Sequence, residues 1–182
     1  MNLPNKLTVL RVILVPFFVL FLLAPLPLPA NVGRYIALVI FIVASLTDLL
    51  DGKIARKYGL VTDFGKFMDP LADKLLVCAA LICMIDMGEI PSWIVIVIIS
   101  RDFIISGFRL VAAGNGTVIA AGWMGKVKTT CQMIMLIYLL IGFPGMAAWL
   151  IGQVLIYASL ILTVASLIDY LVKNKEVIGS DI

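Results

Sequence analysis

Of the five aspartates and three glycines between Asp48 and Asp73 in a strongly apolar chain, four aspartates and two glycines, with an arginine, stand at a spacing that could do chemistry. They read Asp48, Asp51, Gly52, Ala55 and Arg56, then, after eight residues, Gly65, Asp69 and Asp73. Charge set inside an apolar run is expensive and usually functional. Ionised carboxylates gathered at one place repel, so either several hold a proton or cations neutralise them. The chain has no histidine, which excludes His-ligated zinc, a histidine base and a Ser-His-Asp triad. Its three cysteines, Cys78, Cys83 and Cys131, lack paired metal-site spacing and read as small apolar side chains in helix packing. The donors that remain are hard oxygens, which suit Mg²⁺, Mn²⁺ or Ca²⁺. Two divalent ions would balance four carboxylates, and a metal pair ~3.5–4 Å apart clamps a phosphoryl group during displacement.

The elements that must position these groups follow from composition. The chain has 182 residues, is 63% hydrophobic and 14% charged, and has a mean hydropathy of +1.14. Soluble domains are about half apolar and a quarter charged, so the expected class is an all-α integral membrane protein. A spanning helix needs ~20 largely apolar residues. Six runs qualify: about Asn5–Ala24, Val32–Lys57, Thr62–Met87, Pro91–Ala113, Gly122–Gly142 and Met146–Lys173. They form one transmembrane catalytic domain over residues 1–182, with no internal repeat. Pro16 is expected to kink or loosen the first helix. Lys6 and Arg11 ahead of an apolar run resemble a signal peptide, but Pro25-Leu-Pro-Leu-Pro29-Ala30 is a poor cleavage site. The first helix is therefore read as retained.

Orientation follows the bases. Lys6, Arg11, Lys53, Arg56, Lys57, Lys66, Arg109, Lys126, Lys128, Lys173 and Lys175 fall toward one side, and Arg34 toward the other. Both termini are expected in the cytoplasm. Trp93 and Trp149 then mark the outer interface, and Trp123 and Tyr170 the inner one.

Spans two and three meet at a turn around Tyr58-Gly59-Leu60. At ~1.5 Å rise per residue, the four aspartates occupy one ~8 Å slab, ~13–20 Å from that turn. Asp48, Asp51, Gly52 and Ala55 share one helix face; Gly65, Asp69 and Asp73 share another. Two facing helices would converge the carboxylates into one cluster. The small residues leave room for a bulky anion, and Arg56 offers a fork to phosphate. Pro70 leaves the carbonyl of Lys66 without its helical partner. Two other readings stand beside this one. The aspartates could form intramembrane ion pairs with Lys53, Arg56, Lys66 and Lys74, or serve a cation-coupled transporter.

The run Asp48-x2-Asp51-Gly52-x2-Ala55-Arg56-x8-Gly65-x3-Asp69-x3-Asp73 resembles the complete signature of the CDP-alcohol phosphotransferases. The resemblance implies a six-helix membrane domain, a homodimer, and a site for two Mg²⁺ or Mn²⁺ ions open to the cytoplasm of a bacterium. It implies that Asp48, Asp51 and Asp69 hold one ion, and Asp48, Asp69 and Asp73 the other. Asp73 would also be general base on the acceptor hydroxyl, while Gly52, Ala55, Arg56 and Gly65 line the pocket for the cytidine diphosphate moiety. Three softer matches are similar to one branch of the family: Pro4-Asn5-x-Leu7-Thr8-x2-Arg11, Arg101-Asp102-x2-Ile105-Ser106-x2-Arg109 and Gly125-Lys126-x-Lys128-Thr129-Thr130. They imply CDP-diacylglycerol as donor, with Asn5 and Thr8 in its site, and sn-glycerol 3-phosphate as acceptor. No nucleic acid partner is implied. Phosphatidylglycerol, serine or an inositol phosphate stay open as other acceptor alcohols.

The basic residues suit a phosphate-bearing acceptor. Arg109 ends span four, and Lys126 begins span five, where free N–H groups of a helix start favour an anion. Topology and lipid headgroups are the alternative use of such bases. Arg101 sits ~15 Å into span four, too deep to snorkel, and is expected to face the aspartate cavity as a counter-ion or substrate contact. Asp102 is expected to point elsewhere, because adjacent helical residues do not share a face. Lys128 and Asp169 receive no role.

Overall fold

Long apolar runs separated by proline and glycine fold as helices. The computed structural model describes residues 3–27, 29–58, 63–114 and 122–174, without the side chains at 3–4, 30, 48–58, 63–70, 73 and 113–114. Among the described residues there are six helices: α1 (Leu3–Leu23), α2 (Ala30–Tyr58), α3 (Asp63–Asp86), α4 (Ser92–Gly114), α5 (Trp123–Ile141) and α6 (Met146–Lys173). Each bound lies within two residues of the sequence expectation. Helix α1 runs through Pro16 and stops before Pro25. At the end of α3, Glu89 N–H donates to Met84 O and Gly88 N–H to Ile85 O, both at 2.9 Å. That pairing needs a left-handed residue at Gly88, whose φ is 72°, so glycine closes the helix at little cost.

The chain divides into two compact units. The first holds α1, α2 and α3 with Leu140–Gly142; the second holds α4, α5 as far as Leu139, and α6. In the first, α1 packs against both α2 and α3, which also meet each other. Helix α2 buries Gly33, Ala37, Phe41 and Ala44 at helical spacing. Small residues let backbones approach, and packing rather than burial from water holds helices together in lipid. The approach is closest at Gly33, where an added Cβ would stand 2.6 Å from the carbonyl oxygen of Phe21. Phe18 and Phe41 fill the neighbouring turns, their ring centres 5.9 Å apart. Arg34 Nε donates to Leu140 O at 3.0 Å, and its Nη2 to Glu89 at 2.9 Å. The start of α2, the end of α3 and the end of α5 are thereby tied together.

In the second unit α4 packs on α6. Gly152 of α6 sits against Leu139 and Tyr138, and Tyr138 Oη donates to Ala148 O at 3.0 Å. The buried stripe of α6 is Gly152, Ile156, Ser159, Thr163, Ser166 and Tyr170. Thr163 and Ser166 donate to carbonyls of their own helix, which keeps these hydroxyls satisfied away from water. Polar Lys128, Gln132 and Thr163 are buried, whereas Leu110, Trp123, Val154 and Ile161 are exposed. An apolar exterior over a partly polar interior is the arrangement of a membrane protein. Helices α1, α5 and α6 are long and apolar enough to cross a bilayer. The aspartate signature lies in α2 and α3, and Arg101, Asp102 and Arg109 lie in α4.

Candidate functional site

The backbones of Asp48, Asp51, Gly52, Ala55 and Arg56 lie in α2, and those of Gly65, Asp69 and Asp73 in α3. Their side chains, and the turn at residues 59–62, lie outside the described residues. The expected meeting of the four carboxylates, the clearance at the small residues and the Arg56 fork all fall there. The donor set itself fits a hard divalent cation: four carboxylates on two helices that pack together.

The neighbouring described residues are informative. Asn5, Thr8 and Arg11 form a buried stripe on α1. Arg11, only 1% exposed, donates from Nε to Ala44 O at 3.2 Å. Thr47 Oγ1 donates to the same oxygen at 2.7 Å. The turn of α2 that leads into Asp48 is thus pinned to α1. Arg11 is an internal tether, not the interfacial charge that orientation counting takes it for.

The second unit holds a half-open cavity of about 350 Å³. Helix α4 contributes Arg101, Ile105 and Arg109; α5 contributes Gly125, Lys126, Thr129 and Thr130, with Gly122 just before it; α6 contributes Ser166, Asp169 and Tyr170. The three bases expected to serve an anion are therefore brought together. Among the described residues, Nε of Arg101, Nε of Arg109 and Oη of Tyr170 are buried with no hydrogen-bond partner. A buried donor left unpaired costs about 1–3 kcal/mol. Three of them around one cavity mark a place prepared for an acceptor-rich ligand.

Several sequence expectations change here. Asp102 is not among the residues that line the cavity with Arg101, yet the two are paired: Arg101 Nη1 donates to Asp102 Oδ1 at 3.0 Å. The long arginine stem bends back to its neighbour, which face-counting from Cα positions does not anticipate. Arg101 lines the cavity between α4, α5 and α6, and the aspartates it was to face have side chains outside the described residues. The N–H groups of Gly125 and Lys126 are not free, since both donate to Gly122 O, at 3.1 and 3.3 Å. Tyr170 is 7% exposed and lines the cavity instead of joining an interfacial belt. Ser166, Asp169 and Tyr170 were legible only as a helical stripe, because no charge pattern distinguishes them from packing.

The model of the CDP-alcohol phosphatidyltransferase family matches residues 1–165. The chain belongs to the CDP-alcohol phosphatidyltransferase family. It is 44% identical to the CDP-diacylglycerol–glycerol-3-phosphate 3-phosphatidyltransferase of Bacillus subtilis (strain 168), covering 96% of each chain. It is 41% identical to the protein of that name from Haemophilus influenzae, over 93% of this chain and 91% of the other. The corresponding Escherichia coli K12 protein is 39% identical over 93% of each. The aspartate signature lies wholly within the span common to the CDP-alcohol phosphatidyltransferases. Membership in a transferase family displaces the transporter reading of the chain.

Proposed function

We infer that this protein transfers the phosphatidyl group of CDP-diacylglycerol to sn-glycerol 3-phosphate, releasing CMP and forming phosphatidylglycerophosphate for phospholipid biosynthesis. The observation that carries the acceptor half is the α4–α6 cavity, where Arg101, Arg109 and Lys126 converge and two guanidinium Nε groups lack partners among the described residues. A phosphate monoester supplies several acceptor oxygens and a double negative charge, which suits that donor set. Arg101, Arg109 and Lys126 hold the acceptor phosphate. Ser166, Asp169 and Tyr170 provide polar contacts for its glycerol hydroxyls.

The donor half rests on the aspartate hairpin. Asn5, Thr8, Gly52, Ala55, Arg56 and Gly65 hold the cytidine diphosphate part of the lipid. Asp48, Asp51 and Asp69 would hold one Mg²⁺ or Mn²⁺, and Asp48, Asp69 and Asp73 a second. When bound, these ions supply positive charge beside the pyrophosphate and the leaving CMP. Asp73 takes the proton of the acceptor hydroxyl as its oxygen forms the new bond to phosphorus and the bond to CMP breaks. A carboxylate beside cations is a weak base, so the acceptor must be held close by its phosphate. The whole chain acts as one catalytic domain, as a homodimer in the bacterial cytoplasmic membrane, with the site and both termini toward the cytoplasm.

The test is CMP release by the purified protein with CDP-diacylglycerol and Mg²⁺ or Mn²⁺, swapping acceptors. Release that requires glycerol 3-phosphate supports the assignment. Equal release with serine or an inositol phosphate moves the protein to another branch of the family.

A further inference from the structure

Lys128 and Asp102 are left over by the reading above, yet they form the tightest polar cluster in the second unit. Lys128 is 1% exposed, and its Nζ donates to both carboxylate oxygens of Asp102 at 2.7 Å. The same Oδ1 accepts from Arg101 Nη1 at 3.0 Å. A buried ion pair seldom adds stability over well-packed apolar side chains, so its presence asks for another use.

The geometry supplies one. A guanidinium grips an oxyanion along an edge made of two N–H groups. Asp102 occupies Nη1 and thereby removes the edge that contains it. Nε has no partner among the described residues, and Nη2 lies over Gly125, where an added Cβ would stand 3.5 Å away. The edge left for a ligand is the one made by Nε and Nη2. Charge matters as well. A lone carboxylate beside Arg101 would cancel its attraction for an anion, but Lys128 neutralises that carboxylate, so the trio keeps one net positive charge.

We propose that Asp102 and Lys128 are positioning residues for Arg101, fixing the guanidinium so that its Nε edge meets the acceptor phosphate with its charge uncancelled. This rests on reading the cavity as the acceptor-phosphate site. Neither residue touches the acceptor; both act through Arg101. Lys128 reaches Asp102 from α5 across 26 residues of sequence, so the couple also fixes the spacing of α4 and α5 at the cavity wall.

The experiment uses the full-length protein and reads KM for glycerol 3-phosphate, KM for CDP-diacylglycerol, kcat, and the inhibition constant of inorganic phosphate against the acceptor. Coupled positioning residues act on the order of tenfold. Asp102→Asn and Lys128→Met should each raise acceptor KM and the phosphate inhibition constant together by about that factor, with kcat and donor KM little changed. Lys128→Arg should recover much of the loss. In an Arg101→Met background, Asp102→Asn should add nothing. A merely structural pair would instead lower kcat and the amount of folded protein without splitting the two KM values, and that result overturns the proposal. So does an Asp102→Asn effect that persists without Arg101. If Asp102→Asn does not fold, the contrast between Lys128→Met and Lys128→Arg decides. If Arg101→Met itself leaves acceptor KM and phosphate inhibition unchanged, the reading of the cavity fails first. If Arg101→Met raises both and the Asp102 and Lys128 variants do not, the positioning proposal fails alone.

Discussion

Arg11 and Arg101 are both buried arginines on helices of a membrane protein, yet their surroundings differ. In the first unit, Arg11 Nε is spent on the Ala44 carbonyl and Arg34 Nε on the Leu140 carbonyl. In the second, Nε of Arg101 and of Arg109 are buried with no partner among the described residues. A guanidinium whose Nε grips a neighbouring helix carbonyl works as a tether. One whose Nε is buried and unmet is held for something that arrives from outside. Burial and charge alone would rank these residues equally; the disposition of donors separates them. On the proposed function the same comparison divides labour between helices: the first unit, with the aspartate signature, would serve the lipid donor, and the second, with the cavity, the acceptor.

That division can be broken experimentally. The largest effect is expected in the first unit: Asp69→Asn or Asp73→Asn should lower CMP release by about a thousandfold. Chelating divalent ions from the unmodified protein should do the same, with Mg²⁺ or Mn²⁺ restoring activity. Near-full activity in either variant would move the chemistry away from the hairpin. Next, Arg109→Met should raise acceptor KM by about 10–100-fold, the scale of a charged hydrogen bond, while donor KM stays put. Arg34→Met, its counterpart among the tethers, should leave both KM values alone. A smaller and purely structural effect is expected of Gly33→Ala. Its Cβ would meet the Phe21 carbonyl oxygen at 2.6 Å, so overpacking should cost about 1–3 kcal/mol, read as a lower melting temperature in detergent. The smallest belongs to Glu89→Gln, which loses a part-buried ion pair with Arg34 and should cost no more than about 1 kcal/mol, with activity intact.

The helices were legible from the sequence because the apolar runs are long and their ends carry proline or glycine, as at Pro25 and Gly88. The bases that line the cavity of the second unit were legible too, since Arg101, Arg109 and Lys126 are charges in otherwise apolar helices. What escaped was the use of donors. Lys128 and Asp102 lie far apart in sequence, and no local spacing rule joins a residue of α5 to one of α4. Tyr170 looks like an interfacial aromatic by composition, and only its burial in the lining of one cavity with Arg109 and Lys126 reveals otherwise. The closure of Gly125 and Lys126 N–H onto Gly122 was equally hidden, because a helix start can leave its amides open or fold back on them.

The bond from Arg11 to Ala44 has a bearing on how the protein is made. Its two ends are 33 residues apart, so α1 emerges from the ribosome with a charge whose acceptor has not yet been synthesised. Until α2 follows, that guanidinium must stay near the headgroups, because an arginine held at the bilayer centre costs at least about 2.5 kcal/mol. The unbroken apolar stretch from Val12 to Leu23 is left to draw α1 into the membrane. The acceptor for that charge arrives only with α2, so the packing of α1 is completed when the second helix lies beside it.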